Sequence, residues 1–358
     1  MEAIKKLKLQ EVADTSAMPR KEWLGLRKLG IGGSDAAAVL GVSPFRTARD
    51  IYYEKVGIEV EDTDNSNWVQ LEVGNLLEDL VARIFHEKTG LKIHPVKKMY
   101  RHPKHKFMLA NPDYFTVDRD GPAILEIKTT NYFAKDNWFL DGKEIVPLYY
   151  ETQVRHYMAV LGLNRAYLCC LYGNTIDDVI IRKIDRDMDY ENEMIFHQKN
   201  FVDNHWVKNV PPPYTENGDL VLQSIKRYNV SADISAPKVT LNERYKSDLE
   251  QYLALQAEKA EFTRMAKEAE NRMNQVKARI IDSMGKSCSA ACIVGDMTYE
   301  ISYKPSLRPT IDKDGLLRLK TQYPEIYEEF VTMTETRRFS VKSIAVDGKS
   351  SLTEAMAA

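Results

Sequence analysis

Cysteine is scarce in this sequence: there are four in 358 residues, two of them adjacent at Cys169 and Cys170. Four thiols so placed give no disulfide framework. The C-x3-C of Cys288 and Cys292 lacks the second pair that a zinc or iron–sulfur site needs, so reduced thiols are expected and no role is assigned to them. Long apolar runs are missing too, and nothing approaches the roughly 20 residues of a membrane helix. The opening MEAIKKLKLQ has lysines but no apolar core behind them. No secretory signal is expected, and a cytoplasmic, membrane-free protein is. There is no repeat and no low-complexity block. Nor is there an excess of one charge: 50 Lys and Arg stand against 52 Asp and Glu, a net of −2. The molecule as a whole therefore does not advertise nucleic-acid binding.

The charge is nevertheless uneven. LKIHPVKKMYRHPKHKF (91–107) carries Lys92, Lys97, Lys98, Arg101, Lys104 and Lys106 with three histidines and no acid. Such a run is either a solvated face or a phosphate-binding surface. Helical periodicity appears over about 20–40, over 72–90 with Val73, Leu76, Leu77, Leu80, Val81, Ile84 and Phe85 on one face, over 147–162, and over 187–208. Strands are expected near 107–117, 123–130, 165–172 and 177–185. This order predicts an α+β core with a small mixed sheet. The three prolines of NVPPPYTENGD (209–219) mark a change of composition. The division expected is a first domain over 1–215, a linker over 216–239, one long coiled-coil-like helix over 240–285, a small α/β region over 286–345 and a disordered tail over 346–358. Thr240 with Glu243 reads as a capping box and Gly285 as the stop of that helix.

The chemistry concentrates in MLANPDYFTVDRDGPAILEIKTT (108–130). DRDGP is a turn signal. Pairing the flanking strands around Asp120–Gly121 puts Asp113 opposite Lys128 with Glu126 diagonal; a shift of two puts Asp113 opposite Glu126. In both registers the three side chains share one face, because strand side chains alternate with period two. Leu125 and Ile127 then fill the core behind. Two close carboxylates repel unless a cation neutralises them, and hard oxygen donors without Cys or His favour Mg²⁺ or Mn²⁺. A plain cross-strand salt bridge to Lys128 is the other reading of the same hairpin.

Flanking segments add to it. Glu78 sits beside the apolar stripe of its helix, one turn after Gly74. Gln153 and Tyr157 stand at i, i+4 on the 147–162 helix, hence on one face. GIGGSD (30–35) supplies flexible backbone and a hydroxyl ahead of an Ala-rich helix, suited to phosphate or simply to a cap by Ser34 or Asp35. The series R-x3-I-G-G-S-D with a G-x-S-P-F turn, G-x3-E, N-P-D, L-E-I-K and Q-x3-Y, in this order over about 20–210, resembles the PD-(D/E)xK nuclease superfamily. Within it, the series resembles the YqaJ viral recombinase family, which is similar to phage lambda exonuclease.

That resemblance implies a restriction-endonuclease-like core, a central mixed β-sheet flanked by helices, here with a C-terminal helical extension. It implies that Asp113, Glu126, the backbone carbonyl of Ile127 and Glu78 bind two Mg²⁺ ions, for which Mn²⁺ can substitute. Lys128 would position and help deprotonate the attacking water, with Gln153 and Tyr157 completing the catalytic set. Arg27 and Ser34 would grip a terminal 5′-phosphate, and Lys97, Lys98, Arg101 and Lys104 would lie along the DNA. The activity implied is 5′→3′ exonuclease action on linear duplex DNA by two-metal hydrolysis, in a phage or prophage recombination system in a bacterial host. Implied partners are a single-strand annealing protein and further copies of the chain in a trimer. A restriction or junction-resolving endonuclease, or a DNA-binding or assembly protein with a vestigial site, remain alternatives. Trp138 and Phe139 read as either a wedge at the duplex end or a packed loop.

Overall fold

The computed structural model describes residues 4, 6–58, 68–228, 235–307 and 310–332. The chain divides into two compact units, Met1–Ala236 and Pro237–Ala358. In the first, β1 (Gln10–Asp14) precedes α1 (Arg20–Arg27), α2 (Gly33–Val39), α3 (Ala48–Lys55) and the long α4 (Trp68–Thr89). Strands β2 (Ile93–Pro95), β3 (Lys98–Arg101), β4 (Leu109–Ala110), β5 (Tyr114–Asp118) and β6 (Gly121–Thr129) follow. A small hairpin, β7 (Phe139–Leu140) and β8 (Lys143–Glu144), leads to α5 (Leu148–Leu161), β9 (Arg165–Leu171), β10 (Val179–Asp185) and α6 (Met188–Phe201). The α4 and α5 helices stop at Gly90 and Gly162, which take φ of 71° and 65°, the left-handed conformation that glycine adopts without strain.

The expected α+β architecture, a central mixed sheet flanked by helices, is the one observed. The sheet runs β10–β9–β6–β5–β2. Only β6 and β9 are parallel among these neighbours, and α5 provides the crossover that a parallel pair requires. Alternation along β6 splits its side chains between two cores. Leu125 and Ile127 pack with Val81, Ala82 and Phe85 of α4. Ile124 points the other way, into a cluster with Val154, Tyr157 and Met158 of α5. Glu126 and Lys128 share the parity of Ile124, and β9 sets Leu168 and Cys170 beside them. An apolar environment is thereby imposed on two charged side chains. A second sheet, β1–β3–β4, is antiparallel.

Some expectations are corrected. The segment 20–40 is two helices. Between them Gly30 lies so close to Leu109 and the Phe107 carbonyl that a Cβ would sit 2.7 Å from both, and Ile31 bridges to Met108. The strand expected over 107–117 is interrupted before Tyr114, where Pro112 has no N–H to give a ladder. Trp138 is buried, stacked on Tyr150 with ring centroids 5.5 Å apart. It is therefore part of a packed loop, not a wedge. Residues 216–239 are not simply a linker, because α7 (Gly218–Tyr228) docks on α3. Ser224 donates to Asp50 Oδ1 at 2.7 Å, Arg227 Nη1 lies 3.3 Å from the same atom, and Tyr228 packs on Tyr53 at 4.4 Å. The proline-marked stretch ended the sequence reading too early, since an amphipathic helix that buries Leu220 and Ser224 follows it.

In the second unit the long helix is α8 (Lys246–Met284). It begins after a 3-10 turn at Glu243–Tyr245, capped by Asn242 rather than Thr240, and ends at Gly285 with φ 58°. A hairpin of β11 (Ser289–Val294) and β12 (Met297–Ser302) follows, then α9 (Lys313–Gln322) and α10 (Pro324–Phe330). The tail assigned to 346–358 lies outside the described residues.

Asp50 serves two elements, since Oδ2 accepts from Thr47 N at 2.7 Å while Oδ1 holds Ser224 and Arg227. Asp50→Ala removes the Asp50 half of the α3 capping box and takes away the acceptor of the buried Ser224 hydroxyl. It should lower stability by about 2–4 kcal/mol, read from the urea midpoint.

Candidate active site

The turn between β5 and β6 fixes everything that follows. Asp118 pairs with Gly121 and Tyr114 with Leu125, so the loop is the two residues Arg119 and Asp120. Carried one residue further, this register sets Asp113 opposite Glu126, the second of the two registers that the sequence allows. Asp113 stands just before β5 and its Oδ2 accepts from the Ile127 backbone N–H at 2.8 Å. Glu126 Oε1 accepts from Lys128 Nζ at 2.6 Å and from Gln153 Nε2 at 2.5 Å. Gln153 Nε2 also lies 3.3 Å from the Tyr157 hydroxyl. Gln153 and Tyr157 are buried, as is Glu126, at 2 % exposure.

These groups oppose one another. Burial, then the Asp113 charge, pushes the Glu126 carboxyl up to about 8 against the pull of Lys128. Burial raises Asp113 as well, although Lys128 and the Ile127 N–H work the other way. For Lys128 burial disfavours the ammonium, but Glu126 and Asp113 more than compensate, and its charged form is favoured. Glu126 Oε2 is the unsettled atom: it is buried and has no donor among the described residues. Two facing carboxylates with an orphaned oxygen can be satisfied by one shared proton or by one cation. The donor set, all hard oxygen, fits Mg²⁺ or Mn²⁺.

Glu78 does not complete a three-acid cage. It is half-buried on α4, and burial and the Asp113 charge raise its pKa. Yet among the described residues no three acid, His or Cys side chains are gathered closely enough to hold a metal. Its neighbour Asp79 is engaged elsewhere, accepting from the Tyr114 hydroxyl at 2.5 Å.

A cavity of about 240 Å³ joins the acids to the N-terminal motif. Asp113, Glu126, Lys128, Gln153 and Tyr157 line it together with Arg27 and Ser34. Gly33 makes this possible: a Cβ there would meet Tyr157 Cε1 at 2.5 Å and Gln153 Cγ at 2.8 Å. Only glycine lets α2 approach α5 so closely. Arg27 Nη2 lies 2.9 Å from Ser34 Oγ, and its guanidinium sits over the Trp23 ring at 4.9 Å.

The basic run does not form one surface with this cavity. Lys97 is the member whose charge is felt at Glu78 and Asp113. Lys98 is paired across the β1–β3 ladder with Glu11 at 2.6 Å. Arg101 has its Nε buried without a partner among the described residues, and Lys104 lines a separate surface pocket with His102 and His105. Sequence reasoning missed Trp23 and Asn111 in the cavity wall. The N-P-D motif contained the signal for Asn111; nothing local marked Trp23.

Comparison with known proteins gives two kinds of likeness. Residues 22–164 match the YqaJ-like viral recombinase domain. The protein YqaJ of Bacillus subtilis strain 168 is 32% identical over 338 residues, which are 93% of this chain and 98% of that protein. Among solved structures, an alkaline exonuclease (LHK-Exo) from Laribacter hongkongensis superposes with a TM-score of 0.42 at 17% identity. That alignment covers 59% of this chain and 100% of that one. A phage-related exonuclease from Haemophilus somnus 129PT gives 0.41 at 14% identity over 52% of this chain and 98% of that one.

The buried pair has a signature in stability. Between the ordinary glutamate range and about 8, the folded state keeps a proton that the unfolded chain has released. The metal-free protein should therefore lose stability as pH rises through that window, then level off. Glu126→Gln should flatten the profile and raise stability at pH 8 by on the order of 2–4 kcal/mol. Mg²⁺ at about 100 times its Kd should add about 2.7 kcal/mol to the native chain and much less to Glu126→Gln. Thermal denaturation across pH, with chelator and with Mg²⁺, checks both.

Proposed function

This chain belongs to the YqaJ-like viral recombinase family, and from that membership and the cleft we propose that it is a metal-dependent deoxyribonuclease, an exonuclease that enters linear duplex DNA at its ends. The observation that carries the reading is the pairing of Asp113 with Glu126 around an orphaned buried oxygen, with Lys128 and Gln153 already bound to Glu126.

In this reading Asp113, Glu126 and the carbonyl of Ile127 would hold Mg²⁺, and Glu78 would belong to a second ion. The cations would supply activation of water and charge stabilisation at the leaving 3′-oxygen. The chain's own residues do the rest. Lys128 carries a favoured positive charge beside the acids, where it can orient the attacking water and offset charge developing on the phosphate. Gln153 fixes the Glu126 carboxylate through Oε1 and leaves Oε2 free. Tyr157 backs Gln153 and closes the cavity floor. Arg27 and Ser34, on the same cavity, receive the terminal 5′-phosphate, which sets a 5′→3′ direction. Lys97 is the member of the basic run best placed to meet the backbone of the strand being cut.

The substrate proposed is duplex DNA. The single strand left behind would pass to an annealing protein of the same phage or prophage system, and the family resemblance supports a trimer. Among the described residues no helix is long and apolar enough to cross a membrane.

The test is digestion of end-labelled linear duplex, with and without 5′-phosphate, beside a closed circular duplex, in Mg²⁺ and in chelator. Linear DNA should lose nucleotides from its 5′ ends only in Mg²⁺, and circles should persist. Glu126→Ala should lower the rate by at least about 10³-fold while DNA binding is retained. Cutting of circles would turn the assignment toward an endonuclease, and Mg²⁺-independent inertness toward an assembly protein.

A further inference from the structure

Arg27 does not stand alone in the cavity wall. Its Nη2 is shared between Ser34 Oγ and Asp35 Oδ1, the latter at 3.1 Å. Asp35 is fully buried. Its Oδ2 accepts from Lys55 Nζ at 3.0 Å and from the Gly32 N–H at 3.2 Å. Lys55 has no side-chain exposure, and it also donates to the carbonyl oxygen of Arg27 at 2.9 Å. Arg46 Nη1 lies 3.7 Å from Asp35 Oδ1 and is itself held by Glu54 at 2.7 Å. Arg27 is thus gripped at both ends, its backbone by Lys55 and its guanidinium by Asp35.

An N-cap alone does not call for this arrangement. Burial works to raise the Asp35 carboxyl, but Lys55, Arg27 and Arg46 outweigh it and hold it well below the usual carboxylate range. Lys55 balances Asp35, and Glu54 balances Arg46. The one positive charge left over is that of Arg27, and Arg27 together with Ser34 lines the cavity that also holds Asp113 and Glu126. A flexible arginine loses several rotors on gripping an anion; one already held in place loses fewer.

We propose that Asp35, with Lys55 behind it, is a positioning residue that presets Arg27 and Ser34 for a terminal phosphate on a nucleic-acid end. The identity of the anion rests on the nuclease reading above; the presetting of Arg27 does not. Asp35 touches no substrate. It acts by fixing which way the Arg27 fork points.

The test is binding of a short DNA duplex in chelator, so that no cleavage intervenes. The duplex carries a 5′-phosphate or a 5′-hydroxyl at one end and a fluorophore at the other, and fluorescence anisotropy gives both affinities. The unaltered chain should prefer the phosphorylated end by roughly tenfold or more. Asp35→Asn should bring the ratio to within about twofold of one by weakening the phosphorylated end, with the hydroxyl end changing far less. Because Asp35→Asn leaves the buried Lys55 with only the more distant Glu54, at 3.4 Å, as a charged partner, the paired variant Asp35→Asn with Lys55→Met removes both charges together and should give the same ratio with native-like thermal unfolding. Arg27→Ala should collapse the ratio alone, and adding Asp35→Asn to it should change nothing more. A ratio that survives in the paired variant, a parallel loss for both ends, or no preference in the unaltered chain overturns the proposal. Mg²⁺ added to the same duplexes reads the nuclease assignment separately. Digestion with an unresponsive ratio sinks the positioning role alone, and a responsive ratio without digestion sinks the nuclease reading alone.

Discussion

Two carboxylates, Asp113 and Glu126, occupy one buried face and repel each other, and the structure around them is arranged to hold them there. Strand β6 carries Glu126 into an apolar slot between β9 and α5, where it has Leu168 as its lateral neighbour. Asp113 is pinned by the N–H of Ile127, so its position follows from the strand that carries its opponent. Lys128 and Gln153 both approach the same Glu126 oxygen and leave the other without a donor. A site meant only as a salt bridge would be satisfied by Lys128. This one sets two carboxylates against one ammonium, an excess that a retained proton or a divalent cation can meet, and the cost of folding without the cation shows in the pH dependence of stability.

The face on which these residues lie was legible because alternation in a strand is insensitive to register by even steps. Asp113, Glu126 and Lys128 keep a common side whether the ladder is centred one way or the other. Their partner was not legible. DRDG reads as a turn around Asp120–Gly121, whereas the loop is Arg119–Asp120 and Gly121 is already the first residue of β6, with φ 127°. That shift exchanges Lys128 for Glu126 as the residue opposite Asp113. It changes the cross-strand partners from opposite charges into two like charges, with Lys128 reaching Glu126 along the same strand. The family resemblance supplied Gln153 and Tyr157, whose i, i+4 spacing on its own described any helix face.

What the sequence concealed depends on contacts between distant segments. Lys55, in the ordinary string YEKVG, has its side chain fully buried, where Asp35, 20 residues earlier, meets it. Trp138 offered a large ring shortly after β6 and turned out to stack on Tyr150. Helix α7 follows three prolines that read as a break, yet it is amphipathic: it buries Leu220 and adds polar attachments through Ser224, Arg227 and Tyr228 to the single carboxylate of Asp50 and its backbone. The basic run misled in the opposite direction. Its charges were dense in sequence, but β-strand alternation and the Lys98–Glu11 pair disperse them in space.

The placement of Gly33 ties these threads to the choice between acting at an end and acting within a strand. With no Cβ between α2 and the rings of α5, Arg27 and Ser34 open on the same cavity as the acids, about 240 Å³ in all. In the function proposed, a phosphate gripped by Arg27 and a phosphodiester at Asp113 and Glu126 would be near neighbours along one strand. A continuing strand would have to pass through the place that the arginine fork and the hydroxyl occupy. A strand that terminates there in a phosphate fills it, and the terminal dianion gains more from the fork than an internal monoanion does. The proposed restriction on substrate would thus come from a distance between two helices, and that distance is set by the side chain which residue 33 does not have.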